Sequence, residues 1–492
     1  MKIKTYPTSL SVFVLLVGTL QAAPDSKLAD AVEAGAFDTL SLIIEEGDIN
    51  ATQVDGMSAL HWATYHDKAD LVNELVERGA SSTIKNRYGI TPLYLACLNG
   101  NEAIVSRLLK AGADPNSSAR GGETALMTAS RTGKIGAVKA LLDAGAEIDA
   151  QESRDQTAVM WAAAEGHASV VRELLENGAD FTTPLEYSGY TPLFFAVRNG
   201  EHEVTHMLLD AGADINAVMS PERFFGKLPM SGTSPLMLAA ENGHFDLAIE
   251  LLDRGADPND IRTGYSVLHA LTWIRKPDIG ESASGDPAPR GSGLRNSEQF
   301  IRELVARGAD VNCRLEKGKG SVKNRDFGAT AFFLASDRAD VPYMKLLLEL
   351  GADPRIPNNQ GTTAFLAAAG VGSRAPEEEA GNEAECLKAT KLIVSLGVDI
   401  NTVDRNGETA MHGAALKNIP SMVYYLDELG SDINIWNTKN DDGRTPLLIA
   451  QGYRPGNFKP SFETVEAIIG VMARHGIEPP SGPKPNHTNY AN

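Results

Sequence analysis

The sequence has little cysteine, few aromatic residues and a shortage of positive charge. Its 492 residues include only 3 cysteines, too few for a disulfide framework in so long a chain. Lys and Arg total 45 against 64 Asp and Glu, a formal net charge of −19. General nucleic-acid binding requires a basic surface that displaces counterions, so we expect no nucleic-acid partner. Aromatic residues are 6% of the chain, while Ala, Leu and Gly are frequent, and this composition favours many small helices that pack closely.

Long apolar runs are also missing, except for one near the N-terminus. Lys2 and Lys4 precede the apolar segment 10–20, and two alanines follow it. The segment is too short to cross a bilayer, which requires ~20 residues. A positive start, a short apolar core and small residues at a cleavage site are typical of a secretory signal peptide. We therefore expect residues 1–22 to be a signal peptide, the protein to be exported to the periplasm or the cell exterior, and no transmembrane segment to follow.

A four-residue pattern recurs at intervals close to 33 residues. It consists of Ser or Thr, then Pro, Ala or Val, then an apolar residue and a variable residue. Its copies begin at Ser58, Thr91, Thr124, Thr157, Thr191, Ser234, Ser266, Thr330, Thr363, Thr409 and Thr445. The first four intervals are 33, 33, 33 and 34 residues, and the long later intervals contain insertions. A constant period of this length is typical of solenoid architecture.

The segment 86–116 illustrates how one period folds. After a Gly-containing turn, Thr91 can cap a helix and Pro92 fits its first turn, where a missing N–H costs nothing. A second helix follows, with apolar residues at helical spacing, and it ends at Gly112, which suits a left-handed conformation. This glycine opens a Gly-Ala-Asp-x-Asn closure that returns at Gly212, Gly255 and Gly308. Because two short helices cannot bury their apolar faces alone, we expect neighbouring repeats to stack.

These tetrads and closures resemble the ankyrin repeat family. The resemblance covers residues 24–476 and implies an all-α solenoid of about twelve helix-turn-helix units with finger turns, in which 27–50 is an N-terminal capping unit. Residues 477–492 are expected to form a flexible C-terminal tail. In this family a His at the fourth tetrad position bonds the backbone of a neighbouring repeat, which implies a structural role for three histidines, His61, His269 and His412.

Insertions interrupt the period at five places. They lie near 218–232, 276–297, 314–327, 372–384 and 453–460. In solenoids, insertions often mark a binding face, and neutral loop expansion is the alternative. The basic insertion at 314–327, followed by the segment 328–332 (GATAF), also resembles a group of large secreted bacterial ankyrin proteins, which implies a bacterial envelope or extracellular setting.

One pentad resembles a catalytic motif. The segment 202–206, His-Glu-Val-Thr-His, matches the H-E-x-x-H pattern, in which two His hold zinc and Glu acts as base. It stands, however, where ankyrin repeats usually begin their second helix, so we expect neither a metal nor a cofactor. Cys97 stands where a first helix usually has Ala, so we expect it to be buried. The sequence leaves undecided whether Cys313 and Cys386 form a disulfide.

The ankyrin resemblance implies protein binding through a concave groove, and not enzymatic activity. In the family, this groove is formed by finger tips and by residues late in each first helix, and Tyr, Trp and Arg dominate binding hot spots in general. The candidate groove residues are Tyr65, His66, Arg87, Tyr88, Leu98, Asn99, Arg131, Arg154, Glu165, Tyr187, Tyr190, Arg198, Asn199, Phe224, Phe225, Tyr265, Trp273, Asp337 and Arg338. We expect a monomer that binds one or more proteins. A passive spacer of the cell envelope is the alternative, and a zinc-dependent hydrolase ranks below both.

Overall fold

A computed structural model describes residues 26–36, 40, 48–221, 231–280, 289, 291–316, 326–454 and 460–479. The expected signal peptide, the tail beyond residue 479 and the candidates Phe224 and Phe225 lie outside these residues. Within the described ranges the chain forms 24 helices and only two isolated β-bridges, so the predicted all-α class is confirmed. The chain divides into two compact units, unit 1 (Met1–Pro229) and unit 2 (Met230–Asn492).

Unit 1 consists of one leading helix and five helix pairs. The leading helix is α1 (Lys27–Glu33), which belongs to the expected capping unit. The pairs are α2 (Ala59–Tyr65) with α3 (Ala69–Glu77), α4 (Pro92–Asn99) with α5 (Glu102–Lys110), α6 (Ala125–Arg131) with α7 (Ile135–Asp143), α8 (Ala158–Ala164) with α9 (Ala168–Glu176), and α10 (Pro192–Asn199) with α11 (His202–Asp210).

Unit 2 consists of six helix pairs and one additional short helix. The pairs are α12 (Pro235–Glu241) with α13 (Phe245–Asp253), α14 (Val267–Arg275) with α15 (Ser297–Ala306), α16 (Ala331–Asp337) with α17 (Val341–Glu349), α18 (Ala364–Ala368) with α19 (Glu383–Val394), α20 (Ala410–Leu416) with α21 (Pro420–Glu428), and α23 (Pro446–Ala450) with α24 (Phe462–Arg474). The short helix α22 (Ile433–Trp436) precedes the last pair. The apolar residues from Val465 onward predict a last helix. In the structure this helix begins three residues earlier, at Phe462.

Every tetrad begins a first helix, as its residue types predict. All eleven Ser or Thr residues are N-caps in extended backbone conformation. In most of them the hydroxyl accepts a hydrogen bond from the third helical N–H, as Thr124 does from the Met127 N–H at 3.2 Å. Such a bond satisfies a helix N–H that has no partner within the helix. Thr157 is an exception, since its buried hydroxyl oxygen has no hydrogen-bond partner.

Neighbouring pairs stack in two layers. In unit 1 each first helix contacts the first helix of the next pair, and each second helix contacts the next second helix. The side chains between the layers are fully enclosed, as Leu93, Leu108 and Leu141 show with no exposed surface. Burying one such leucine contributes about 2 kcal/mol, so the stacking that the repeat pattern predicts is also the main source of stability.

In four of the closures an asparagine clamps consecutive repeats together. The Asn116 side-chain amide donates to the Gly145 carbonyl at 3.2 Å, and its oxygen accepts from the Glu147 N–H at 2.7 Å. Asn50, Asn259 and Asn312 make the same pair of bonds to the closure that follows each of them. The Asn of the Gly-Ala-Asp-x-Asn motif thus sets the register between repeats.

The tetrad histidines form a second set of links between repeats, as the family resemblance implies. His61 Nε2 lies 3.0 Å from the Ile90 carbonyl, and His269 Nε2 lies 3.1 Å from the Ala329 carbonyl. His412 Nε2 lies 3.3 Å from the carbonyl oxygen before the next tetrad. All three side chains are buried, and burial lowers the pKa of His269 and of His412 to about 4. They therefore link the repeats as neutral imidazoles.

The three cysteines are free thiols. Cys97 and Cys386 are buried and Cys313 is half-buried. Burial raises the pKa of each thiol, which keeps them protonated and unreactive near neutral pH. The burial expected of Cys97 is confirmed, and the structure does not contain the Cys313–Cys386 bridge.

A first prediction compares two equivalent caps in adjacent repeats. Thr124→Ala removes the bond to the Met127 N–H and should lower the free energy of unfolding of unit 1 by about 1 kcal/mol. Thr157→Ala removes a hydroxyl that makes no bond and should change it by less than ~0.5 kcal/mol. Urea unfolding followed by circular dichroism measures both, and equal losses in the two variants would contradict the role assigned to the cap.

A second prediction concerns the stability of the fold at acidic pH. An unfolded histidine binds a proton near pH 6.5, whereas folded His412 does so only near pH 4. Stability should therefore fall as the pH drops from about 6.5 to 4, by up to roughly 3 kcal/mol for this residue. His412→Leu should reduce that loss, because leucine already occupies this tetrad position at Leu366 and Leu448. Hydrogen–deuterium exchange of the α20 amides, corrected for the intrinsic pH dependence of exchange, measures the effect; an unchanged slope would refute it.

Candidate functional site

The fingers of unit 1 are joined side by side by their backbones. The Arg87 N–H donates to the Asp55 carbonyl at 2.9 Å, and the Arg120 N–H donates to the Tyr88 carbonyl at 3.1 Å. The Ser153 N–H continues the series to the Gly121 carbonyl at 2.7 Å. Equivalent tip positions in successive fingers therefore form one continuous edge of the unit.

Close packing at this edge requires glycine in the turn. Gly89 has a φ of +79°, and a Cβ there would lie 3.3 Å from the Ala119 Cα of the next finger. A larger residue would be strained by its backbone conformation and would also press on the neighbouring finger. The Gly-containing turn predicted from the sequence is thus required by the contact between fingers.

Three of the predicted finger residues are exposed. Arg87 and Arg154 are exposed, and Tyr187 has 59% of its surface accessible to solvent. Tyr88 is half-buried, and the Arg87 Cζ lies 5.3 Å from the centroid of its ring. Arg120, which sequence reasoning missed, is also exposed, with its Cζ 5.9 Å from the same centroid. Its position 33 residues after Arg87 is the signal that could have found it.

The structure corrects the placement of Tyr190 and Tyr265. Each directly precedes a tetrad, and each is buried, with 4% and 0% of its surface exposed. Tyr190 packs against Phe195, with 4.9 Å between ring centroids, and the Tyr265 hydroxyl donates to Glu241 at 3.1 Å. An aromatic at this position turns inward under the finger, so both residues are part of the core and not tip residues available to a partner.

Several candidates late in the first helices link each repeat to the one before it. The Asn99 amide donates to the Thr64 carbonyl at 2.9 Å, and His66 Nε2 lies 3.2 Å from the Glu33 carbonyl. The Asn199 amide donates to the Ala164 carbonyl at 2.5 Å. These side chains hold neighbouring repeats together. Only the parts of them that do not face the preceding repeat are accessible to a ligand.

The other late-helix candidates of unit 1 form a mixed polar and aromatic surface. Arg131 pairs with Glu123 at 3.1 Å, and its Cζ lies 5.8 Å from the Trp161 ring. Arg198 lies over the buried Tyr190, with 5.8 Å from its Cζ to the ring centroid. The remaining members are Tyr65 and Leu98, which are half-buried, and Glu165, which is exposed.

In unit 2, two of the insertions follow the C-terminal ends of first helices, α14 and α18. The Gly280 N–H donates to the Glu378 carbonyl at 2.9 Å, and the Ala380 N–H donates to the Asp278 carboxylate at 3.1 Å. We call these four residues the insertion bridge. It connects the first part of the insertion at 276–297 to the insertion at 372–384.

The candidates of unit 2 make contacts with other residues of that unit, and Arg338 contacts the insertion bridge. Arg338 pairs with Asp278 at 3.1 Å, and the Asp337 carbonyl accepts from Lys417 Nζ at 3.3 Å. The Trp273 ring packs on Tyr265 with 5.2 Å between centroids, and its indole nitrogen is buried without a hydrogen-bond partner. The exposed candidates among the described residues therefore concentrate in unit 1.

The His-Glu-Val-Thr-His pentad is the first turn and a half of α11, as its position in the repeat predicts. Glu203 is exposed, and His202 and His206 are half-buried. In the described part of the chain, no group of three His, Cys, Asp or Glu side chains is arranged to hold a metal ion. None of the described helices is long and apolar enough to cross a membrane.

Family models for ankyrin repeats match the chain in several places. A model for three repeat copies matches residues 28–119, 66–153 and 126–219. A single-repeat model matches 231–270, and a model for many copies matches 380–426. Together they cover more than half of the 492 residues. The chain belongs to the ankyrin repeat family, and its fold is the ankyrin solenoid.

Individual relatives share parts of the array. Neurogenic locus notch homolog protein 1 of Xenopus tropicalis is 30% identical in an alignment of 207 residues that covers 36% of this chain and 8% of that protein. Protein phosphatase 1 regulatory subunit 12A of Rattus norvegicus is 29% identical over 149 residues, which are 30% of this chain and 13% of that protein. The chain thus spans a small fraction of these relatives' own lengths. The crystal structure of the human ASB11 ankyrin repeat domain covers 54% of this chain and 100% of that domain, with 23% identity and a TM-score of 0.41.

Proposed function

We propose that this protein is an exported scaffold that binds a partner protein through the finger edge and first-helix ends of unit 1. The observation that carries the proposal is the exposure of Arg87 and Arg154 on a series of fingers joined by backbone bonds, together with the exposed Tyr187 on the finger that follows. Arg and Tyr are enriched among the residues that dominate binding energies. A rigid stack presents them with little entropy left to lose on binding.

Membership of the ankyrin family supports a binding role in place of catalysis. The rat relative is named as a regulatory subunit of a phosphatase, which describes a protein that works with a partner chain. The absence of a metal-holding group in the described residues gives no support to a hydrolase built on the pentad. A partner-binding scaffold is therefore the function that the site supports best.

Export is proposed from the sequence. The charged start and the short apolar segment at residues 10–20 are typical of a signal peptide, and the finger at 314–327 adds the resemblance to secreted bacterial ankyrin proteins. We expect the mature chain to begin at Ala23 or Pro24. N-terminal sequencing of protein recovered from the periplasm or the medium measures this, and an intact Met1 there would refute the signal-peptide interpretation.

Binding is tested with two exposed aromatic residues. A partner is first captured on the full chain from periplasmic or culture extract, identified, and then titrated by calorimetry against variants. Tyr187→Ala should weaken binding by about 2 kcal/mol, or roughly 30-fold in Kd. The control is Phe462→Ala, since Phe462 is 76% exposed and lies at the start of the last helix of unit 2.

The control variant should bind as the unaltered chain does. Both variants should keep their helical circular dichroism, because neither ring is part of the core. A passive spacer would show no difference between Tyr187→Ala and the unaltered chain. A loss confined to Phe462→Ala would assign binding to another surface.

A further inference from the structure

Three arginines recur at the tips of consecutive fingers in unit 1. Arg87 and Arg120 each lie four residues before a tetrad, Arg154 lies three residues before the next tetrad, and all three are exposed. The backbone bonds between their fingers hold them in sequence along one edge. We call these residues the arginine row.

The guanidinium groups of the arginine row are not paired with carboxylates of the described residues. In the part of the chain that the structure describes, none of its three guanidinium groups forms a salt bridge, whereas arginines elsewhere do, such as Arg78 with Glu74. The Cζ atoms of Arg87 and Arg120 lie 5.3 Å and 5.9 Å from the centroid of one ring, that of Tyr88, so they are at most about 11 Å apart. Like charges held this close repel each other and favour an anion between them.

The positive surface is narrow. Acids lie beside the row, namely Glu152 and Asp155 on the finger of Arg154, and Asp55 and Glu186 on the two flanking fingers, in a protein of net charge −19. A membrane surface or a nucleic acid would bring its many negative charges against these carboxylates. A single extended peptide brings fewer negative charges near them than a membrane or a nucleic acid does.

The spacing of the row suits an extended chain. Stacked helices lie ~8–10 Å apart, and an extended peptide in polyproline II conformation advances ~3.1 Å per residue with three residues per turn, so every third side chain faces the same way. Carboxylates three residues apart would therefore meet successive guanidinium groups, and each pair can form two parallel charge-assisted hydrogen bonds.

We propose that the arginine row binds an extended acidic segment of the partner protein, with Asp or Glu at about every third residue. Tyr88, between the first two arginines, provides an aromatic surface for the side chains that lie between successive acids. This proposal rests on the proposed function of unit 1 and names the chemistry of its ligand.

Fluorescence anisotropy with synthetic peptides tests the proposal on the full chain. The probe is a 13-residue peptide with Glu at every third position. One comparison peptide has Gln at those positions, and another has the same composition with its Glu residues adjacent. We expect the spaced peptide to bind at least ten-fold more tightly than either, with an affinity that falls as salt rises.

The matched variants remove equal charge from two surfaces of unit 1. The triple variant Arg87→Ala, Arg120→Ala, Arg154→Ala should weaken binding of the spaced peptide at least ten-fold. The control triple Lys110→Ala, Lys139→Ala, Arg172→Ala alters exposed cations on the second-helix layer and should change it less than two-fold. Circular dichroism checks that both remain folded.

Several results would overturn the proposal. They are no binding of the spaced peptide, equal binding of all three peptides, equal loss in both triple variants, or tighter binding of anionic vesicles or single-stranded DNA through the row. If the spaced peptide does not bind while Tyr187→Ala still weakens binding of the captured partner, the proposal that unit 1 binds a protein stands. Only the assignment of an acidic segment as the ligand is then wrong. If the partner is also unaffected by Tyr187→Ala, both proposals fall.

Discussion

Hydrogen bonds from side chains of one repeat to the backbone of the next determine the rest of this structure. A helix pair of this size cannot bury its apolar face alone, so each pair is stable only in register with its neighbours. Asn116 bonds both a carbonyl and an N–H of the following closure, and His61 bonds the backbone before the following tetrad. Since these groups are directional, they allow one offset between repeats, whereas apolar packing by itself would tolerate several.

That register also positions the candidate site. Because the fingers are bonded to one another through Arg87, Arg120 and Ser153, side chains at equivalent positions lie along an edge whose spacing is set by the helices behind them. The candidate surface therefore does not depend on any single loop. It depends on the distance between successive repeats, and a ligand whose own groups recur at that distance would gain a contact from every repeat it crosses.

The sequence predicts the features that follow local rules. The tetrad caps and the pairing of helices are all found, because a capping hydroxyl and a glycine in left-handed conformation act within a few residues. The same pattern does not predict which finger aromatic turns inward, so Tyr187 and Tyr190, three residues apart, differ in exposure. It also gives no sign of the insertion bridge, since two irregular loops carry no periodic signal that would bring Asp278 to Ala380.

The insertion bridge changes how unit 2 can come apart. Asp278 and Ala380 are 102 residues apart in the chain, and in a simple stack such distant segments never meet. Closing so long a loop costs entropy, so the bond should form only after the intervening repeats have assembled. Once formed, it closes that stretch into a ring, within which one repeat cannot fray while the others remain. The middle of unit 2 should thus melt as a single block, in an architecture whose repeats otherwise loosen one after another from the ends.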